Sequence, residues 1–149
     1  MKRFTFYARV LLLVTILALA LSTAAFAEDG DNTIDIQVSP HTLNLLSNGG
    51  AFTIHAEVDY GSVEIVTLTV DGADLTVNHP GMVEEGNDPT DCYTFADDLG
   101  DLVVKCDLET VKSMVSVGEA TFELEALTEG GMTYTGEDTI DVISRGKQR

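Results

Sequence analysis

Three carboxylates crowd one short stretch, Asp97, Asp98 and Asp101, broken by Leu99 and Gly100. Loops of this size hold hard cations, because Ca²⁺ takes several oxygen ligands from one short segment. Calcium is therefore the candidate cofactor, with Asp97, Asp98 and Asp101 as its ligands. The spacing departs from the EF-hand order, which needs acids at alternating positions and a later glutamate. Here Leu99 takes a position where a ligand or turn glycine would serve, and no glutamate follows in register. The competing reading is a solvated hairpin tip whose acids keep it soluble.

Cys92 and Cys106 border the same stretch at equal distance from Leu99. A hairpin centred on Leu99 sets them opposite one another, and facing residues at a non-hydrogen-bonded pair come close enough for a disulfide. Closing a loop of about 15 residues stabilises a fold by about 3 kcal/mol in the chain-entropy model. This register also puts Tyr93 and Phe95 on the face of Lys105 and turns Thr94 and Ala96 toward the core residues Val104 and Leu102. A slipped register or a bulge would remove that conflict, and the sequence leaves both open.

Other chemistry is sparse. His41, His55 and His79 are far apart, and none forms an i, i+2 or i, i+4 pair with another ligand, so zinc or copper spacing is missing. His55 falls on the polar side of its strand between Thr53 and Glu57 and reads as a surface residue. Glu123 and Glu125 share one outward strand face and imitate a carboxylate pair, yet neither a nucleophile-elbow motif nor a nucleophile with its base is present. With no Trp, a sugar platform would depend on Tyr60, Tyr93 or Tyr134. The expectation is a protein that is not an enzyme.

The elements that must position these groups follow from period-two alternation, the signature of half-buried strands. Ile34, Ile36 and Val38 alternate with Asp35 and Gln37. Phe52, Ile54, Ala56 and Val58 alternate with polar neighbours, as do Leu68 and Val70, then Leu102, Val104 and Cys106. Ala120, Phe122, Leu124 and Ala126 form another inward set, and Ile140 and Val142 close the series. Turn residues such as Asp71-Gly72 and Gly130-Gly131 separate the runs. About seven or eight short strands with such turns predict an all-β, antiparallel, immunoglobulin-like sandwich. One helical insert is predicted at about 107–115, with Asp107 as N-cap and Leu108, Val111 and Val115 on one side. Residues 79–89, with two prolines and two glycines, read as a long loop.

The chain opens with Lys2, Arg3 and Arg9, then an uncharged run over residues 10–27 that ends in Ala25-Phe26-Ala27. That order is a secretory signal peptide with an A-x-A cleavage site, and the run reaches only the lower end of a membrane-spanning length. The expected organisation is a signal peptide over 1–27, an acidic flexible leader over 28–32, the sandwich over 33–143 and a short basic tail over 144–149. The mature protein is then secreted or periplasmic, with no membrane insertion after cleavage. All 25 acidic residues lie beyond position 27, against five of the eight basic ones, so the net charge of −17 becomes −20. Such an excess opposes nucleic acid as a partner, since phosphate binding needs clustered Lys and Arg. An oxidising compartment favours pairing of the two cysteines.

Three stretches carry a family likeness. They are Ile34-Asp-Ile-Gln-Val-Ser-Pro-His-Thr-Leu-Asn-Leu-Leu-Ser-Asn-Gly49, Asp101-Leu-Val-Val-Lys-Cys-Asp107 with Val111 after it, and Gly130-Gly-Met-Thr-Tyr-Thr-Gly-Glu-Asp-Thr-Ile-Asp-Val142. Together they resemble a group of exported prokaryotic immunoglobulin-like domains, which occur as accessory or C-terminal modules of secreted and surface proteins. In that group a dockerin-like Asp/Gly-rich stretch commonly precedes the D-L-x-V-K-F strand and implies calcium. Here that stretch reads Thr94-Phe-Ala-Asp-Asp-Leu99, the strand's Phe is Cys106, and Cys92 stands one hairpin arm away. The resemblance implies a degraded ion loop whose ordering role passed to a covalent staple. The functional expectation is a non-enzymatic module for surface recognition or scaffolding, its partner a protein or another envelope or extracellular component. A calcium-binding exported protein using the 97–101 loop is the alternative.

Overall fold

The computed structural model describes residues 32–80 and 91–146; the expected signal peptide lies outside the described residues. In chain order the strands are β1 (Asn32–Thr33), β2 (Ile36–Ser39), β3 (Thr42–Asn44), β4 (Phe52–Asp59), β5 (Val63–Val70), β6 (Ala73–Leu75), β7 (Val77–Asn78), β8 (Cys92–Ala96), β9 (Asp101–Cys106), β10 (Gly118–Thr128) and β11 (Thr133–Ile143). A short helix, α1 (Leu108–Met114), links β9 to β10. One sheet runs β1-β11-β10-β5-β6, with β3 also on β11, and the other runs β2-β4-β9-β8-β7. In immunoglobulin lettering these are G-F-C-C′ and A-B-E-D, so the expected all-β sandwich is the observed architecture.

The alternating apolar residues fill the space between the layers. Phe52, Ile54, Ala56 and Val58 of β4 and Ala120, Phe122, Leu124 and Ala126 of β10 are all buried. Phe52 and Phe122 meet across the layers with ring centroids 4.9 Å apart. Each such ring contributes roughly 1.5–3 kcal/mol by leaving water. Asp71 and Gly72 both take positive φ, 48° and 78°, in the two-residue turn that joins β5 to β6, the geometry that Asp-Gly favours in hairpins. The helix starts where expected: Asp107 accepts from the Thr110 backbone N–H through its side chain, and Leu108 and Val111 are buried.

More strands are present than the expected seven or eight because two segments change layers. The N-terminal segment pairs with β11 as β1, with β4 as β2 and again with β11 as β3. Similarly, β6 lies on β5 whereas β7, one residue later, lies on β8. Each change ends one ladder and begins another. Asp138 secures the first crossing, its carboxylate accepting from the Val38 backbone N–H at 2.8 Å.

Gly136 is the tightest point of this crossing. A Cβ there would lie 2.5 Å from Ile36 Cγ2 and 2.8 Å from the Ile34 carbonyl oxygen. The side chain can give way, but the carbonyl is held in the segment tied to β11, where Ile34 N–H donates to the Thr135 carbonyl at 2.8 Å. Gly136→Ala is therefore expected to cost about 1–3 kcal/mol through overpacking. Equilibrium denaturation measures it, and a change below about 0.5 kcal/mol, the range of neutral surface substitutions, would contradict the close approach.

Candidate functional site

The chemistry-bearing residues collect on the hairpin of β8 and β9. Its register pairs Cys92 with Cys106, Tyr93 with Lys105, Thr94 with Val104, Phe95 with Val103 and Ala96 with Leu102, without interruption. Neither a slip nor a bulge relieves the conflict noted in the sequence. Asp107 N–H donates to the Asp91 carbonyl and Asp97 N–H to the Asp101 carbonyl, so these outer pairs are hydrogen-bonded. Alternation then makes the Cys92–Cys106 pair non-hydrogen-bonded, with Cα atoms 3.9 Å apart and the sulfurs joined. Both cysteines are buried, so the staple lies inside the sandwich and within one sheet.

A buried histidine resolves the remaining conflict. Thr94 points inward, and its Oγ1 lies 2.7 Å from His79 Nδ1. The other ring nitrogen, Nε2, is 2.9 Å from the Val63 carbonyl oxygen. A carbonyl only accepts, so Nε2 carries a hydrogen and donates it to Val63. Tyr60 packs edge-on against the ring at 5.2 Å. His79 was expected to open a loop, yet it is only 3 % exposed and bridges the two layers. Its hydrogen bonds allow a polar pair to sit in an apolar interior. A polar residue at an inward strand position, here Thr94, is the one signal in the sequence that asks for such a partner.

On the outer side of the hairpin stand Tyr93 and Phe95, 49 % and 38 % exposed. Their ring centroids are 6.0 Å apart with planes tilted by 35°. Between Phe95 and His55 in the same row lies Val103, an outward residue that is 1 % exposed. Leu99 at the hairpin tip is 86 % exposed. Beside the rings a shallow groove of about 350 Å³ is lined by Asp35, Gln37, His55, Glu57, Asp97 and Asp101, together with Ile36 and Ala56.

The acidic tip does not assemble a cation cage. Asp97 Oδ1 accepts from Leu99 N–H at 2.8 Å and from Asp101 N–H at 3.0 Å, closing the turn on itself. Its Oδ2 lies 3.9 Å from His55 Nδ1. Asp98 is exposed and Asp101 belongs to β9. Among the described residues no three His, Cys, Asp or Glu side chains form a group that could hold a metal ion, so Asp97, Asp98 and Asp101 are not brought together as ligands.

The opposite face of the molecule holds a second depression, of about 440 Å³, where Thr33, Thr67, Thr69 and Thr135 surround Glu123, Glu125 and Glu137. Glu123 and Glu137 are direct cross-strand partners. Like charges so placed are unfavourable, and the Thr69 hydroxyl donates to Glu123 at 3.3 Å. The pair at Glu123 and Glu125 that the sequence singled out is thus joined by a third acid. Comparison with protein-family models and with curated proteins finds no match for this chain.

The hydrogen bonds from Asp101 and Leu99, with lesser help from Gly100 and His55, hold the Asp97 carboxyl below the ordinary aspartate range. The Thr110 backbone and hydroxyl do the same for Asp107. A depressed folded value stabilises above the unfolded one, about 3.9, and the contribution disappears as pH falls through the folded value. The Asp97→Asn, Asp107→Asn double variant is expected to be less stable at pH 7 and to converge with the natural protein near pH 2; parallel pH profiles in chemical denaturation would contradict this. For the disulfide, Cys92→Ala with Cys106→Ala is expected to lower stability by about 3 kcal/mol. Against typical domain stabilities of about 5–15 kcal/mol, that leaves a folded protein. An unchanged denaturation midpoint would contradict the role given to the staple.

Proposed function

We propose that the protein is an exported, non-enzymatic immunoglobulin-like module that works outside the cytoplasm by surface recognition. The observation that carries this reading is the Tyr93–Phe95 pair, solvent-facing on a hairpin whose other face is bolted into the core by Cys92–Cys106. Aromatic side chains supply large contact area at low entropic cost, and a rigid scaffold lowers the cost of ordering on binding. A disulfide suits an oxidising compartment, in keeping with the signal-like residues 1–27. Among the described residues no helix is long and apolar enough to cross a membrane. The likeness to exported prokaryotic immunoglobulin-like modules points the same way.

Calcium receives no support from the geometry, because the Asp97 oxygen nearest its neighbours is already committed to two backbone donors. Two measurements test the proposal. Produced with its own residues 1–27, the protein recovered outside the cytoplasm should begin at Glu28 and lack two hydrogens by mass; retention inside with the leader attached would contradict export. Immobilised protein should retain a species from the source's envelope or medium that the Tyr93→Ser, Phe95→Ser variant does not retain. Equal recovery by both proteins would remove recognition through this face.

A further inference from the structure

The rings, the groove and the charge on this face together define what it would accept, provided that the recognition reading above holds. We infer that the outer face of the β2-β4-β9-β8 layer docks an arginine-bearing segment of a partner protein, with the guanidinium against Phe95 and its charge met by the groove carboxylates.

Charge complementarity is the first argument. Four carboxylates, Asp35, Glu57, Asp97 and Asp101, line the groove next to the rings. The described residues contain only three Lys or Arg, namely Lys105, Lys112 and Arg145. Lys105 alone belongs to this face, opposite Tyr93 and Thr53 and so on the side of Phe95 away from the acidic tip. A cation is thereby repelled from the Tyr93 end and drawn toward Phe95 and Asp97. The net charge of −17 adds long-range attraction for any basic partner.

The aromatic pair is the second argument, and it distinguishes this face from a merely acidic one. A guanidinium lies flat on a ring and pairs with a carboxylate at the same time, which an ammonium does less well. The two rings, 6.0 Å apart and inclined at 35°, pack as a pair and turn exposed surface outward, on which a planar head or a methylene stem can lie. Val103, between Phe95 and His55, is covered and joins the rings to the groove side of the face. Asp97 directs Oδ1 to its own turn and leaves Oδ2 beside His55, on the groove side. The depression around Glu123, Glu125 and Glu137 has the acids without any ring, and serves as the control.

The test uses two synthetic peptides, Arg-Gly-Arg-Gly-Arg and its lysine counterpart, titrated calorimetrically into the mature protein near physiological salt. The expected result is tighter binding of the arginine peptide, weakened about tenfold by Tyr93→Ser with Phe95→Ser. Glu123→Gln with Glu125→Gln and Glu137→Gln should change it less than about twofold, since exposed charges beyond a Debye length are screened. Amide shift changes in the natural protein should centre on residues 55, 93, 95 and 97, a readout independent of any variant's folding. Equal losses from the two sets of substitutions, shifts spread over both faces, or no binding of either peptide would overturn the inference. So would self-association that the aromatic substitutions abolish, or binding of a neutral oligosaccharide at these rings in place of the peptide. If envelope capture still depended on Tyr93 and Phe95, the recognition reading would stand without this partner chemistry.

Discussion

Between β8 and β9 the two sulfurs are joined inside the sandwich, and on a strand every neighbour of an inward residue must face outward. The pairing of Cys92 with Cys106 thus governs the whole hairpin. It sends Thr94 to the core and Tyr93 and Phe95 to solvent. A shift by one residue would exchange the two sets, expose the disulfide and bury the rings. The staple, the position of His79 and the aromatic face are consequences of one register. The inward Thr94 hydroxyl meets His79 and the Asn78 carbonyl, and the other ring nitrogen of His79 meets the Val63 carbonyl.

The acidic excess has a second use besides solubility. Among the described residues, five aspartates serve as acceptors for backbone N–H groups. Asp71 receives Thr121, Asp91 receives Thr76, Asp97 receives Leu99 and Asp101, Asp107 receives Thr110, and Asp138 receives Val38. Aspartate is short enough to reach the nearby backbone, which is why it caps turns and helix starts. The glutamates instead populate the outer faces, as with Glu57, Glu123, Glu125 and Glu137, where a longer side chain stays hydrated. Part of the negative charge is therefore built into the fold, and the rest is presented to solvent.

The strands, the helix at 108–114 with its Asp107 cap, the Asp71-Gly72 turn and the cysteine pairing were legible because each depends on neighbours close in sequence. The layer changes of the N-terminal segment were not, since nothing local distinguishes Ile34 or Ile36 on one sheet from the same residues on the other. The close approach of Gly136 to Ile34 joins positions about a hundred residues apart and leaves no periodic trace. His79 was hidden for a similar reason, its partners being a hydroxyl 15 residues away and a carbonyl, which every residue has. The aromatic pair was visible in the pattern, but as an objection to the register. Seen with the buried histidine that answers the objection, the same outward placement becomes the candidate recognition surface.

The pairing itself can be read directly by nuclear Overhauser spectroscopy on the isotope-labelled, oxidised protein. Facing residues at non-hydrogen-bonded pairs bring their α-hydrogens together, so strong Hα–Hα contacts are predicted for Cys92 with Cys106, Thr94 with Val104 and Ala96 with Leu102. Contacts instead joining Tyr93 with Cys106 or with Val104 would show a shifted ladder. In that case the rings would not face solvent as described, and the account of this surface would fail.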